Sequence, residues 1–300
     1  MTPSLRVGVQ YTPRADQNIS SIVRAAVEIE AMGYDTISLP DHLARADGGQ
    51  PVALPDPVAL LARLAADTRT IGLGTMTLLD ALRHPAQIVR SAATLQRITA
   101  GRFELGLGAG WLGSDLAVLG ETARTRLDTL NRTLTLIRHA WPGPGTPDTG
   151  EEQGDTAARA AAAANAAGIP APTLVVAAGG PRMLRLAAAT ADVVALTVPT
   201  WDRATGRPTA ASITAQMDIV RHASPAGWPP PGFHLQIREL PAAALADPDA
   251  DWWVLGGSPA EAAETLHRRI AAGVGYLSVC TNDLGLLRRF ADTVLPLVMS

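Results

Sequence analysis

The stretch "GRFELGLGAGW" (Gly101–Trp111) places four glycines in eleven residues at the end of what reads as a buried strand. Glycines between a strand and a helix suggest a dinucleotide-binding loop, where the backbone must come close to a pyrophosphate. The spacing is Gly106-x-Gly108-x-Gly110, and Trp111 occupies the next position at which that fingerprint requires glycine. An indole cannot replace a glycine chosen for close helix–strand contact. The run also begins about a hundred residues into the chain, not at its first strand. If Phe103 to Gly108 is instead a barrel strand, these glycines lie at or just past its C-terminal end. There they leave floor space for a flat ring or an anion, or they serve turn geometry alone.

The flanking sequence repeats one unit. Leu5, Val7 and Val9 alternate with polar or small residues, which predicts a first strand; Ile22, Ala26, Ile29 and Met32 then recur at helical spacing. Gly33 closes that helix, and "DTISLP" is strand two. Asp56-Pro57 caps and opens a second helix, and "RTIGLGTMT" is strand three. Pro85 opens helix three, "RFELGLG" is strand four, and Leu127, Leu130, Leu134 and Ile137 mark a long fourth helix. The loop "WPGPGTPDTG" is followed by an alanine-rich helix over 155–167. "TLVVAAGG", "DVVALTV", "FHLQIREL" and "GYLSVC" supply strands five to eight, with a capping box at Ser258-Pro259-x-Glu261. Eight strands, each followed by a helix or room for one, predict an α/β chain folded as a single (β/α)₈ TIM barrel over 1–300. The longest loops follow strands two, four, six and seven, on the face where such barrels place their chemistry.

Composition narrows the chemistry. Hydrophobic residues make up 47% and charged residues 18% of the 300, enough for a substantial core. The net charge of −3, without long blocks of one sign, argues against a nucleic-acid partner. All 25 basic residues are arginine, so a lysine nucleophile or Schiff base is excluded. Such a composition also suggests GC-rich coding and an actinobacterium-like source. A single cysteine, Cys280, forms no internal disulfide and fits a reducing compartment. With neither a secretory leader pattern nor a long apolar run, the chain reads as cytoplasmic and not membrane-bound.

A second glycine turn, Ala178-Gly179-Gly180-Pro181-Arg182, ends strand five and starts a helix immediately. Free backbone N–H groups at the positive end of a helix dipole suit a phosphate, and Arg182 adds a charged fork.

Taken together, "LPDHL", "LGTMTLLDALRHPAQIVRSAATLQRITAGRFELGLGAGW", "AAGGPRMLRLAAATAD" and "GSPAEAAETLHRRIAAGVGYLSV" resemble the luciferase-like flavin and deazaflavin oxidoreductases. The similarity runs over nearly the whole chain and is least defined around 142–172 and 199–250. It implies a TIM barrel, usually a homodimer, that binds coenzyme F420 or, alternatively, FMN at the C-terminal mouth, with a separate reductase supplying reduced cofactor. Asp41-His42 and Arg83-His84-Pro85 are commonplace in the deazaflavin branch and favour F420. The resemblance places a cis peptide at Met76-Thr77 behind the ring, Ala109, Gly110 and Trp111 beside the cofactor tail and substrate space, and Gly179, Gly180 and Arg182 at the phosphate.

Departures also inform. Relatives that oxidise sugar phosphates carry glutamate and tryptophan where this chain has Trp111 and Ala46. That argues against sugar-phosphate oxidation and for reduction of a small organic substrate at an activated C=C or C=N bond. The protein must then position the coenzyme against an electrophilic carbon and provide a proton at the neighbouring atom. His42 is the candidate catalytic group at the coenzyme, polarising its ring or relaying that proton, since imidazole exchanges protons near neutral pH, and Asp41 would orient it or bind coenzyme. His84, Trp111 and Trp201 are candidates for the substrate pocket, and Arg126 for the acidic coenzyme tail. No pair of histidines has the spacing of a compact zinc motif, so no metal is expected. Alternatives are an FMN-dependent monooxygenase using reduced flavin and O₂, a non-catalytic flavin-binding barrel, and a cofactor-free hydrolase or aldolase.

Overall fold

The computed structural model describes residues 5–14, 17–47, 50–110, 125–141, 168, 170–197, 209–227 and 229–299, with 44–47 and 50–52 described by backbone alone. Its centre is a closed, all-parallel barrel. The staves, in order around the ring, are β1 (Arg6–Gln10), β2 (Thr36–Leu39), a split third stave of β5 (Gly72–Thr75) and β6 (Leu78–Leu79), β7 (Phe103–Gly108), β8 (Thr173–Ala178), β9 (Val193–Leu196), β10 (Gly232–Ile237) and β11 (Val274–Cys280). Pairing of β1 with β11 completes the closure. The eight staves fall where the alternating runs predicted them.

Helices α1 (Ile19–Ala31), α2 (Pro57–Ala65), α3 (Pro85–Ile98), α4 (Thr125–Ala140), α5 (Pro181–Thr190), α6 (Ala210–Ala223) and α7 (Pro259–Ala272) lie between staves, and α8 (Leu284–Thr293) and α9 (Leu295–Met299) follow the last. Their starts obey the capping rules: Asp56 accepts from the Ala59 amide at 2.9 Å, and Ser258 and Glu261 form the expected reciprocal box. Apolar side chains such as Ile22, Ile29, Leu61, Leu64, Ile88 and Leu266 are fully buried between helices and staves. The alanine-run helix expected over 155–167 lies outside the described residues.

Two features depart from the simple repeat. An antiparallel hairpin, β3 (Ala44–Asp47) and β4 (Gln50–Ala53), stands after β2 within the segment expected to be loop. The Gly48-Gly49 pair, between the two strands in sequence, is a hairpin signal. The third stave is also irregular. Between the pairs Gly74–Glu104 and Leu78–Leu107 it advances four residues while β7 advances three, so it carries a bulge. The Met76–Thr77 peptide within it is cis, at the position the resemblance implied.

The lumen is polar at its N-terminal end. Glu104 pairs with Arg6 and accepts from the Tyr276 hydroxyl at 3.0 Å; that hydroxyl lies 2.6 Å from Thr36 Oγ1. His234, fully buried, packs edge-on against Tyr276 and sits 2.8 Å from Ser278 Oγ. This plug closes the bottom of the barrel and leaves the C-terminal mouth for chemistry.

Candidate active site

The glycines of strand four answer the bulge of strand three. A Cβ on Gly106 would lie 1.8 Å from the Thr75 carbonyl oxygen, and one on Gly108 would lie 2.5 Å from Thr77 Oγ1. Thr75 Oγ1 also donates to the Gly106 carbonyl at 2.8 Å and accepts from its amide at 3.0 Å. The space expected as open floor at these two positions is therefore filled by the neighbouring stave. Their role is to admit a strand that bulges inward, which a side chain would forbid. Behind the bulge Met76 packs with Val175 and Ala195, while Ala177 and Val193 lie against them, so this wall of the lumen is small and apolar.

Asp41 and His42 follow β2, one stave away. His42 is half-buried at the mouth. Asp41 is buried, and its carboxylate is held by Arg83 in a two-pronged pair at 2.5 and 3.2 Å and by the Leu79 amide at 2.9 Å. Arg83 reaches Asp56, the α2 cap, at 2.5 Å as well. Burial raises the Asp41 carboxyl above the ordinary carboxylate range, and the hydrogen bonds and charge of Arg83 oppose that shift without cancelling it. The structure thus engages Asp41 in clamping the loops after strands two and three together, a role the sequence reading did not assign to it. His84 is exposed and caps α3, its Nδ1 accepting from the Ala86 amide at 3.3 Å.

The next two staves form an anion-ready corner. Gly110, past β7, has a left-handed φ of +77°, and its carbonyl accepts from Arg126. The Nε of Arg126 is buried without an acceptor. Past β8, Gly180 is the N-cap of α5 and makes no side-chain cap bond, and Pro181 carries no N–H. Among the described residues no side chain caps the first-turn amides, and Arg182 is exposed beside them. Trp111 and Trp201, expected in the substrate pocket, lie outside the described residues.

On the opposite arc of the mouth, Gln10, Gln236 and Arg238 were not singled out by the sequence reading. Gln10 on β1 donates to the Met76 carbonyl at 3.1 Å and accepts from Gln236 on β10 at 2.5 Å. Cys280 on β11 donates to the same Gln10 oxygen at 3.3 Å. Burial pushes the Cys280 thiol up to about 12, against the pull of the Arg238 guanidinium, so the thiol is neutral. Gln236 also accepts from Arg238 at 2.8 Å, and Arg238 lies 4.2 Å over the Trp253 ring. An inward-facing glutamine near the end of each of two staves was the available signal, readable from the period of two. Among the described residues no group of three or more His, Cys, Asp or Glu is arranged to hold a metal.

These features define an α/β-barrel protein whose mouth pairs a bulged third stave and small apolar wall with an open helix start. The chain belongs to the luciferase-like monooxygenase family, whose model matches residues 4–273. It is 33% identical over 156 residues to an F420-dependent glucose-6-phosphate dehydrogenase of Nakamurella multipartita, a match covering 50% of this chain and 44% of that protein. The chain spans about half the length of the curated relatives it matches. A solved F420-dependent secondary alcohol dehydrogenase, in complex with an F420–acetone adduct, shares the fold with a TM-score of 0.70 at 13% identity, over 98% of this chain and 99% of its own. The oxygenating constituent of 3,6-diketocamphane monooxygenase from Pseudomonas putida, in complex with FMN, shares it at 0.69 and 17%, over 98% of each chain.

Proposed function

We propose that the protein is an F420-dependent oxidoreductase, a reductase that acts on an activated C=C or C=N bond of a small organic substrate. The observation that carries the reading is the anion-ready corner of Gly110, Arg126, Gly180 and Arg182, set next to the bulged third stave. The buried, acceptor-free Nε of Arg126 and the side-chain-free cap of α5 fit the phosphate-bearing tail of such a coenzyme. The small apolar wall of Met76, Val175 and Ala195 fits one face of a flat ring. The relatives named for F420 support the coenzyme. Ala46 and Trp111, in place of the tryptophan and glutamate of sugar-phosphate-oxidising relatives, support reduction over sugar-phosphate oxidation, as does the absence of lysine.

Gly110, Arg126, Gly180 and Arg182 would hold the coenzyme, which in its reduced form would supply the hydride and would be restored by a separate reductase. The chain's own work is geometric. The bulged stave would back the ring, and the Asp41–Arg83 clamp fixes the loop that carries His42. His42 holds the proton that must reach the atom next to the carbon receiving hydride, which balances the reduction. The polar floor of Gln10 and Gln236 faces substrate from the other side.

Titration with F420 and with FMN, followed by coenzyme fluorescence, tests the reading. F420 is expected to bind, and His42→Ala to lower turnover of reduced F420 about 100-fold or more while leaving coenzyme affinity nearly unchanged. Wild-type turnover in that variant removes His42 from the proton transfer. Tight FMN binding with no response to F420 overturns the coenzyme assignment in favour of a reduced-flavin monooxygenase.

A further inference from the structure

We propose that Arg238 is the recognition site for a carboxylate on the substrate, so that the acceptor is an acid whose reducible bond lies near its acidic group. The proposal rests on the reductase reading for the substrate's role, but its binding chemistry stands separately.

Arg238 follows β10 and shares the face of Gln236, two residues earlier, which reaches across the lumen to Gln10. Its side chain therefore stands on the rim of the mouth. The guanidinium is oriented by stacking 4.2 Å from the Trp253 ring and by one bond, from Nη2 to Gln236 Oε1 at 2.8 Å. Among the described residues, nothing accepts from the remaining N–H groups of its fork and no carboxylate lies within ion-pair distance. Other arginines differ. Arg6, Arg83 and Arg138 each take an acid, and Arg102 and Arg269 spend donors on backbone carbonyls. A planar guanidinium held at one edge by Gln236, with its other donors uncommitted among the described residues, matches a carboxylate in two-pronged geometry.

The surroundings agree. Trp253, whose ring carries the guanidinium, has its Nε1 buried with no acceptor. The loop bearing Trp253 is rigid. Its carbonyl accepts from the Arg238 amide at 2.7 Å, its amide donates to Asp251 at 2.8 Å, and buried Arg269 on α7 ties down the carbonyls of Asp251 and Val254 at 3.3 and 2.8 Å. Such a site is ordered before ligand arrives, which lowers the entropic cost of binding. The floor below it, Gln10, Gln236 and the Cys280 thiol, carries no negative charge to repel an acid. Stave β9 separates Arg238 from the corner at Gly180, so a substrate acid and a coenzyme phosphate would meet different cations.

The test uses acetate, crotonate and benzoate against their primary amides, with binding read from broadening of the probes' proton NMR lines on F420-loaded protein. Acids are expected to bind about 10-fold or more tighter than amides, the discrimination of a charge-assisted hydrogen-bonded pair. Arg238→Met, which keeps a stem on Trp253, should abolish the preference without altering coenzyme fluorescence titration. Arg238→Lys should restore it in part, and Trp253→Phe should weaken it. Equal binding of acid and amide, binding of neither, or a preference that survives in Arg238→Met overturns the proposal. A preference lost in Arg182→Met instead assigns the anion site to the other corner and also overturns it. If F420 itself does not bind, the reductase reading falls, and the same comparison on coenzyme-free protein still decides Arg238.

Discussion

Adding one methyl group at Gly106 tests the account of the bulged stave. The Cβ of Gly106→Ala would stand 1.8 Å from the Thr75 carbonyl oxygen and 2.9 Å from its carbon. Relief requires the obstacle to move by about 1.5 Å to reach ordinary contact of roughly 3.4 Å. The obstacle is backbone, and it is pinned on both sides. The Met76 amide donates to Leu39 at 2.9 Å, the Met76 carbonyl accepts from Gln10, and Thr75 Oγ1 holds both polar groups of Gly106. Overpacking a well-packed core costs about 1–3 kcal/mol when side chains can adjust, so a backbone obstacle places this change at about 3 kcal/mol or more. Gly275, in β11 of the same barrel, is the control, because a Cβ there meets nothing within 4 Å. Gly275→Ala should be neutral or stabilising by up to about 1 kcal/mol, as alanine restricts the unfolded chain. Urea unfolding measures both, as midpoint shifts at constant slope. A Gly106→Ala midpoint at or above wild type, or an equal loss in Gly275→Ala, refutes the idea that strand four is glycine-rich to admit strand three.

Two further outcomes follow from buried ionisable groups. His234 is held neutral, its pKa pushed down to about 3 by burial first and by the charge of Arg6 second, against an unfolded value of about 6.5. The unfolded chain therefore binds the extra proton below pH 6.5, and this contribution to stability, complete above that pH, is lost as the pH falls toward 3. Between about pH 6.5 and 5 the loss is about 2 kcal/mol; His234→Gln should remove that part of the slope in urea melts at the two pH values, and an unchanged slope contradicts it. At the mouth, Arg83→Met leaves the Asp41 carboxylate buried without its partner and should cost about 3–5 kcal/mol. Adding Asp41→Asn to that variant should recover part of the loss in thermal melts, and no recovery would mean that Arg83 acts through packing alone.

What was legible in the sequence was what local rules control. Alternation marked each stave, Asp56-Pro57 and Ser258-Pro259-x-Glu261 marked helix starts, and Gly179-Gly180-Pro181 marked an open one. The two halves of the mouth differ in this respect. The side proposed for the coenzyme is written in contiguous punctuation, glycines and prolines at strand ends, and the family resemblance is densest there. The facing side depends on pairs that no window spans: Gln10 and Gln236 lie 226 positions apart and meet only because the barrel closes. Asp41 illustrates the same limit, since its neighbour in sequence is His42 while its carboxylate reaches Arg83, 42 positions on. Gly106 is the mixed case, visible as a glycine but explained only by the extra residue in the stave beside it. Such a division has a functional corollary under the reductase reading. A coenzyme common to many relatives can be held by locally encoded turns, whereas a substrate particular to this chain must be read by the cross-barrel set of Gln10, Gln236 and Arg238. Substitutions in that set should therefore move substrate preference while sparing coenzyme affinity, and substitutions at Gly180 or Arg126 should do the reverse.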